Sequence, residues 1–228
     1  MTDYSPFRID DFETIRILSS EGATGNVYLA RRDDGVECAL KVLVKTNEAK
    51  YKNLHKNMKK EIDALSALNH PHIMNILGGR LDVTWEMGGR TFQGDYIASE
   101  LLSAGELFDY IDNPKGPFSE PVAKQLFKQM LSALVFMHER GIVNRDLKLE
   151  NMFVGQDFQI RIGDFGFAKE IEGTGKDGVI TSVLGTPGYM APEILECRPY
   201  SGVAVDVFAF GVVLFSMITG SAPFQGVS

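Results

Sequence analysis

Cysteine is scarce in this chain: Cys38 and Cys197 are the only two among 228 residues. Two thiols cannot build a disulfide framework, so a disulfide-stapled secreted scaffold is excluded and a reducing cytosol is the expected setting. Basic charge is also in deficit, with 23 Lys and Arg against 30 Asp and Glu and a net charge of −7. That balance argues against nucleic acid or an anionic membrane as a main partner, and it suits a surface that meets basic peptides. The opening Met1-Thr2-Asp3-Tyr4-Ser5 has neither the basic nor the apolar region of a secretory leader. Long apolar runs are missing too. The most apolar stretch, 203–220, contains Asp206 and leaves about thirteen uncharged residues after it, where a membrane span needs about twenty. It predicts a buried central helix. No internal repeat or low-complexity tract is present.

What is there is an ordinary globular composition, 44% hydrophobic and 23% charged, long enough for one large or two small domains. Residues 12–45 alternate and are rich in β-branched side chains, with breaks at Glu21-Gly22 and Asp33-Asp34-Gly35. Three antiparallel strands joined by tight turns follow from that pattern. Met58, Ile62, Leu65 and Leu68 recur at helical spacing and stop at His70-Pro71. Strands are expected near 76–83 and 91–98, around the turn Glu86-Met87-Gly88-Gly89. From Gly105 the pattern turns helical. Ser119 is placed to cap a helix with Pro121 in its first turn, Val122, Leu126, Met130 and Leu134 as its apolar stripe, and Gly141 as its end. Short strands at 152–154 and 159–162 and a glycine-rich loop at 166–191 precede the last helix. Strands first and helices later imply an α+β fold. We expect a β-rich lobe of five strands and one helix at 1–98, a hinge at 99–105 and a helical lobe at 106–228. A ligand would sit in a cleft between the two.

Several short motifs punctuate this frame. Gly22-Ala23-Thr24-Gly25-Asn26-Val27 lies between two expected strands, where glycines let backbone amides approach phosphate oxygens; an ordinary glycine hairpin is the alternative. Ala39-Leu40-Lys41 lies on the third strand, and Glu61 precedes the apolar Ile62 on the helix. Taken singly, these are equally a solvated strand lysine and a surface glutamate. The run Ile142-Val143-Asn144-Arg145-Asp146-Leu147-Lys148-Leu149-Glu150-Asn151 is followed, thirteen residues after Asn151, by Asp164-Phe165-Gly166. Turn chemistry explains isolated Asp and Asn residues but not that whole string. Gly185-Thr186-Pro187-Gly188-Tyr189 and Ala191-Pro192-Glu193 close the series.

In this order the motifs resemble the catalytic core of eukaryotic serine/threonine protein kinases. The catalytic segment is most similar to the calcium/calmodulin-dependent and AMP-activated types. The resemblance implies an enzyme that moves the γ-phosphoryl group of ATP, with Mg2+, to a Ser or Thr hydroxyl of a protein or peptide substrate. It implies that Asp146 is the base, that Lys148 steadies the transferring group, and that Asn151 and Asp164 hold magnesium. Lys41 would contact the phosphates and be held by Glu61. Nucleotide contacts are further implied for Ser20, Gly22, Gly25, Val27, Ala39, Ser99, Glu100, Leu102, Glu106 and Phe153. Ser99 falls at the residue gating the rear pocket, and its small size predicts room for bulky adenine mimics. Glu106 and Glu150 hint at basic substrates. Thr186 is expected to touch Asp146 and Lys148. Arg145 matches kinases switched on by loop phosphorylation, with Ser182 the first candidate acceptor and Thr181 the second. The expected location is the cytoplasm, with the nucleus also open.

The chain departs from the family pattern at three places. Ser19 or Ser20 stands where the family has its first glycine, and the spacing from Leu18 is one residue long. Asn144 replaces the family's histidine or tyrosine, and a shorter amide there must find hydrogen-bond partners. After Pro223-Phe224 the family continues for several helices, so the resemblance covers the first part of a kinase core. A fragment, or a partner covering the central helix, is expected, with Val212, Leu214, Phe215 or Met217 exposed and Glu193 without its usual arginine. A truncated or pseudokinase-like ATP-binding interaction module without turnover is the alternative function. A small-molecule kinase of related fold is disfavoured by the run 185–193.

Overall fold

A computed structural model of the chain describes residues 5–21, 25–46, 48–111, 116–171 and 179–224. The chain forms two compact units, Met1–Ser66 with Asn75–Leu101, and Ala67–Met74 with Leu102–Ser228.

The first unit is an antiparallel sheet with one helix. Its strands are β1 (Arg8–Ile9), β2 (Phe12–Glu21), β3 (Gly25–Arg32), β4 (Glu37–Val44), β5 (Ile76–Met87) and β6 (Arg90–Glu100), in the order β1-β2-β3-β4-β6-β5. The helix, α1 (Glu48–Ala67), follows β4. Five strands were expected; the sixth is β1, two residues long and too short to show alternation. Local polar bonds hold it in place. The Phe7 N–H donates to Thr14 Oγ1 (2.9 Å), which donates back to the Phe7 carbonyl (2.9 Å). Asp10, at φ 49°, accepts from the Arg80 guanidinium of β5 and the Tyr96 hydroxyl of β6.

The alternation along β4 sorts side chains onto two faces. Cys38, Leu40 and Val42 join Phe7, Tyr28 and Tyr96 in the core on one side. Ala39, Lys41 and Leu43 point to the other, directly across from Ser99, Ile97 and Asp95 of β6. This second face receives α1. The extra residue noted before the glycine loop is absorbed by irregular pairing: the β2–β3 register jumps between Thr14 and Arg16 and again between Ile17 and Ser19. Ile15 and Leu18, left out of the ladder, are both exposed.

The second unit is mainly helical. Its elements are α2 (Leu107–Ile111), α3 (Glu120–Glu139), β7 (Ile142–Val143), a 3-10 turn (Leu149–Asn151), β8 (Met152–Val154), β9 (Ile160–Ile162), β10 (Lys169–Glu170), β11 (Val179–Ile180), α4 (Pro192–Leu195), β12 (Tyr200–Ser201) and α5 (Gly202–Thr219). Residues 67–74 were expected with the first lobe but pack here. Main-chain bonds link Met74 and His72 to Ile162 of β9, and the His72 ring bonds the Ile160 carbonyl. The apolar stripe of α3 is also corrected. Its buried residues are Ala123, Met130, Ala133, Leu134 and Met137, whereas Val122 is exposed. Small Ala123 and Ala133 let α3 approach its neighbours, and a pattern search for large side chains passes over them. Ser119 holds the N-cap position, but its side chain makes no capping bond.

α5 is the central helix, with Val205, Asp206, Ala209, Phe210 and Val213 buried. Val212 and Met217, expected to be uncovered, are buried, while Phe215 and Ile218 are exposed. α3 packs on α5, with Phe127 and Phe210 ring centroids 5.5 Å apart. The Phe118 N–H, just before α3, donates to the Met217 carbonyl at 2.9 Å, covering that end of the helix.

Candidate active site

The segment after β7 is built around a buried carboxylate. Asp206 on α5 is fully enclosed, and a charge taken out of water must be paired. Its partners are the Asn144 N–H (2.9 Å), the Arg145 N–H (2.8 Å) and the His138 ring (2.9 Å). Two consecutive amides on one carboxylate fix the main chain where Arg145 takes up φ 69°. Sequence reasoning did not give Asp206 this role. A lone charge within the most apolar stretch was the signal that could have found it.

Asn144 is also fully buried, and both ends of its amide are used. Its Nδ2 donates to the Asp164 carbonyl (3.0 Å), and its Oδ1 accepts from the Asp146 N–H (3.0 Å). The unusual asparagine therefore ties the two aspartate segments together through their main chains.

Asp146 lies at the centre of a short polar network. Oδ1 accepts from the Thr186 hydroxyl at 2.7 Å, Oδ2 pairs with Lys148 Nζ at 3.0 Å, and Lys148 also donates to Thr186 Oγ1 at 2.9 Å. The structure thus brings together Asp146, Lys148 and Thr186 from the loop and from the segment before α4. Asn151, in the 3-10 turn, donates its Nδ2 to the Asp146 carbonyl (2.8 Å) and, at 3.3 Å, to Oδ2. That orientation leaves the amide oxygen of Asn151 as the end presented to a cation. Asp164, at φ 52°, accepts the Gly166 N–H at Oδ1 (3.1 Å). Phe165 behind it is fully buried, which is worth about 2 kcal/mol. An amide oxygen and a carboxylate form the hard-oxygen donor set that magnesium prefers.

Arg145 is buried and points at the next segment. Its Nε donates to the Phe167 carbonyl (2.9 Å) and its Nη1 to Ser182 Oγ (3.0 Å). Ser182 and Thr181 are both exposed, and Tyr200 holds the Ser182 carbonyl at 2.8 Å. Tyr189 donates to Glu150 at 3.3 Å; burial first, and the Glu150 charge after it, push this phenol up. Glu106 and Phe153 pair as an isolated bridge.

In the first unit, Lys41 Nζ meets Glu61 Oε2 at 2.9 Å, and the glutamate is the more buried partner. Ala39 and Ser99 lie across from each other, with Ser99 buried. The Glu100 N–H donates to the Asn75 carbonyl (3.0 Å), and its side chain accepts from the Asn75 N–H (2.8 Å). Ser20 and Val27 lie on β2 and β3 at the end of the hairpin, and Leu102 is half-buried. Gly22 and Thr24 lie outside the described residues. Gly25 has φ +112°, and a Cβ there would stand 2.6 Å from the Val42 carbonyl, so only glycine fits the close strand approach.

Residues 13–228 match the family described as protein kinase domain. The chain is 36% identical over 215 residues to CBL-interacting protein kinase 12 of Oryza sativa subsp. japonica, covering 94% of this chain and 37% of that protein. It is 33% identical over 218 residues to CBL-interacting serine/threonine-protein kinase 20 of Arabidopsis thaliana, covering 94% and 46%. With CBL-interacting serine/threonine-protein kinase 9 of Arabidopsis thaliana, 33% identity extends over 98% of this chain and 48% of the relative. The chain spans less than half the length of each of these relatives.

Proposed function

The chain belongs to the protein kinase domain family, and from that membership we propose that it transfers the γ-phosphoryl group of ATP to Ser or Thr hydroxyls of protein substrates. The observation that carries this reading is the network of Asp146, Lys148 and Thr186, closed by contacts of 2.7, 2.9 and 3.0 Å.

The chemistry follows from what each group can do. Asp146 orients the substrate hydroxyl and accepts its proton at the carboxylate. The hydroxyl oxygen bonds to the γ-phosphorus as the bond to the β-phosphate oxygen breaks, and ADP leaves. Lys148, held beside Asp146, balances the charge of the moving phosphoryl group. In the first unit, Lys41 carries the positive charge for the α- and β-phosphates, and Glu61 holds it extended. Asn151 and Asp164 would hold magnesium, which when bound supplies positive charge against the phosphate oxygens. Ser20, Gly25, Val27, Ala39, Ser99, Glu100, Leu102, Glu106 and Phe153 are proposed nucleotide contacts. The acidic balance and Glu150 support basic substrates. Two free thiols fit a cytoplasmic or nuclear setting.

Ser182 is the proposed activating site. A phosphate there carries about 1.5 to 2 negative charges, and the Arg145 guanidinium is already 3.0 Å from its oxygen.

The test is incubation with γ-labelled ATP, magnesium and a mixed set of basic peptides bearing Ser, Thr or Tyr. Label is expected on Ser and Thr. Well-folded chain that labels none of the peptides would count against the proposal.

A further inference from the structure

Asp95 is a carboxylate in the middle of a sheet, fully buried on the face of β6 that receives α1. Burying a charge is unfavourable unless donors surround it, and here three do. Oδ1 accepts from the Tyr51 hydroxyl at 2.8 Å and from the Asp82 N–H at 2.9 Å, and Oδ2 meets His55 Nδ1 at 2.9 Å.

Each donor is supplied by a distinct feature of the fold. Tyr51 and His55 are four residues apart on α1 and so share one face of the helix. Asp82 sits where the β5–β6 register jumps between Arg80 and Val83, so two residues of β5 oppose Asp95 alone. Its φ of 54° belongs to that bulge. Next to Asp95, Gly94 admits the β4 main chain: a Cβ there would lie 1.9 Å from the Leu43 carbonyl. The strands are closed tightly around this carboxylate.

His55, Asp82 and Asp95 also bring potential metal-ligand atoms within 4.8 Å of one another. Both Asp95 oxygens are already taken by protein donors, however, so hydrogen bonding accounts for the cluster.

The same helix carries Glu61, six residues beyond His55, a rise of about 9 Å. Lys41, the partner of Glu61, lies across from Ile97 on the sheet face that Asp95 shares. α1 therefore meets one sheet face at two charged points, Asp95 with Tyr51 and His55, and Lys41 with Glu61.

We propose that Asp95, Tyr51 and His55 form a positioning clamp that holds α1 on the sheet and thereby keeps Glu61 on Lys41. If α1 moves away or rotates, two of the three donors leave Asp95 and a buried carboxylate is stranded. That penalty disfavours arrangements in which a movement of α1 carries Glu61 away from Lys41. None of the three touches substrate. Their consequence for turnover rests on the proposed phosphotransfer reading; the coupling between the two contacts does not.

The experiment is trace acetylation of the folded chain, with Lys41 modification read by mass spectrometry and folding checked by thermal melting. Glu61→Gln sets the level for a lysine without its carboxylate. His55→Leu is expected to raise Lys41 labelling several-fold toward that level, and His55→Asn, which restores an N–H donor, to return it toward wild type. Should His55→Leu fail to fold, Tyr51→Phe keeps the ring packing and carries the same expectation. Wild-type labelling of Lys41 in every folded donor-deleting variant overturns the clamp. Phosphotransfer is scored separately, so a chain without turnover but with coupled labelling removes the kinase reading and leaves the clamp standing.

Discussion

At Asn144 the side chain differs from the family's usual choice, yet both ends of its amide are engaged with the Asp146 N–H and the Asp164 carbonyl. Asn144→Leu keeps the bulk and strands both main-chain groups, at about 1–3 kcal/mol each. Urea denaturation should show that loss, and turnover should fall because Asp146 loses its main-chain tether. An unchanged midpoint would contradict this assignment. Cys38 makes a second residue-scale prediction. Burial pushes its thiol up from 9 to about 11, so the folded chain holds the proton that the unfolded chain releases first. Its contribution to stability is complete below pH 9 and is lost as pH rises toward about 11. The Tyr51, Tyr96 and Tyr189 phenols, also pushed up from their ordinary value of 10, add their losses above pH 10. Cys38→Ala should flatten the decline between pH 9 and 11 in denaturation curves; an unaltered slope would assign it to other groups.

The β2–β3 hairpin shows at element scale how local sequence and strand packing combine. Gly25 was read from the sequence as a candidate phosphate-loop glycine, but its close approach to the Val42 carbonyl was not, because that approach belongs to the next strand, β4. Gly25→Ala forces a side chain into φ +112° against the Val42 carbonyl, and backbone strain of this kind costs about 1–3 kcal/mol. Chemical denaturation checks it, and a neutral result would mean the hairpin relaxes. The segment carrying Ser182 makes the second element-scale prediction. One charge-assisted bond to Arg145 is worth about 1.5–3 kcal/mol, roughly tenfold or more in population. Chain phosphorylated at Ser182 should turn over at least that much faster than Ser182→Ala, with Arg145→Gln removing the response. Equal rates would sink the activation proposal. Strands and helices that alternate strongly were readable from the sequence. Those that depend on distant pairing were not: β1 is a two-residue strand held by Thr14 and Asp10, and residues 67–74 are claimed by β9 through main-chain bonds.

For the whole molecule, the sequence motifs pointed to the proposed catalytic groups but not to what supports them. Asp146, Lys148, Asn151, Asp164, Lys41 and Glu61 are spaced along the chain in a pattern that can be read directly. The roles of Asp206, which binds the surrounding backbone, and of Asp95, which binds α1, were not read from the sequence. Their meaning comes from burial, and burial is a property of the folded chain. Magnesium provides a global check on the site: a nucleotide that binds only the folded form raises the melting temperature by mass action. The shift with ATP should need magnesium, and Asn151→Ala with Asp164→Ala should abolish the magnesium dependence. A shift of equal size without the metal would remove these two residues as its ligands.

The most direct measurement compares the chain with Asp146→Asn, following labelled phosphate transfer to Ser and Thr peptides alongside the nucleotide-induced melting shift. A proton-accepting Asp146 predicts that turnover collapses while the shift persists. Turnover retained in Asp146→Asn would contradict the account at its centre.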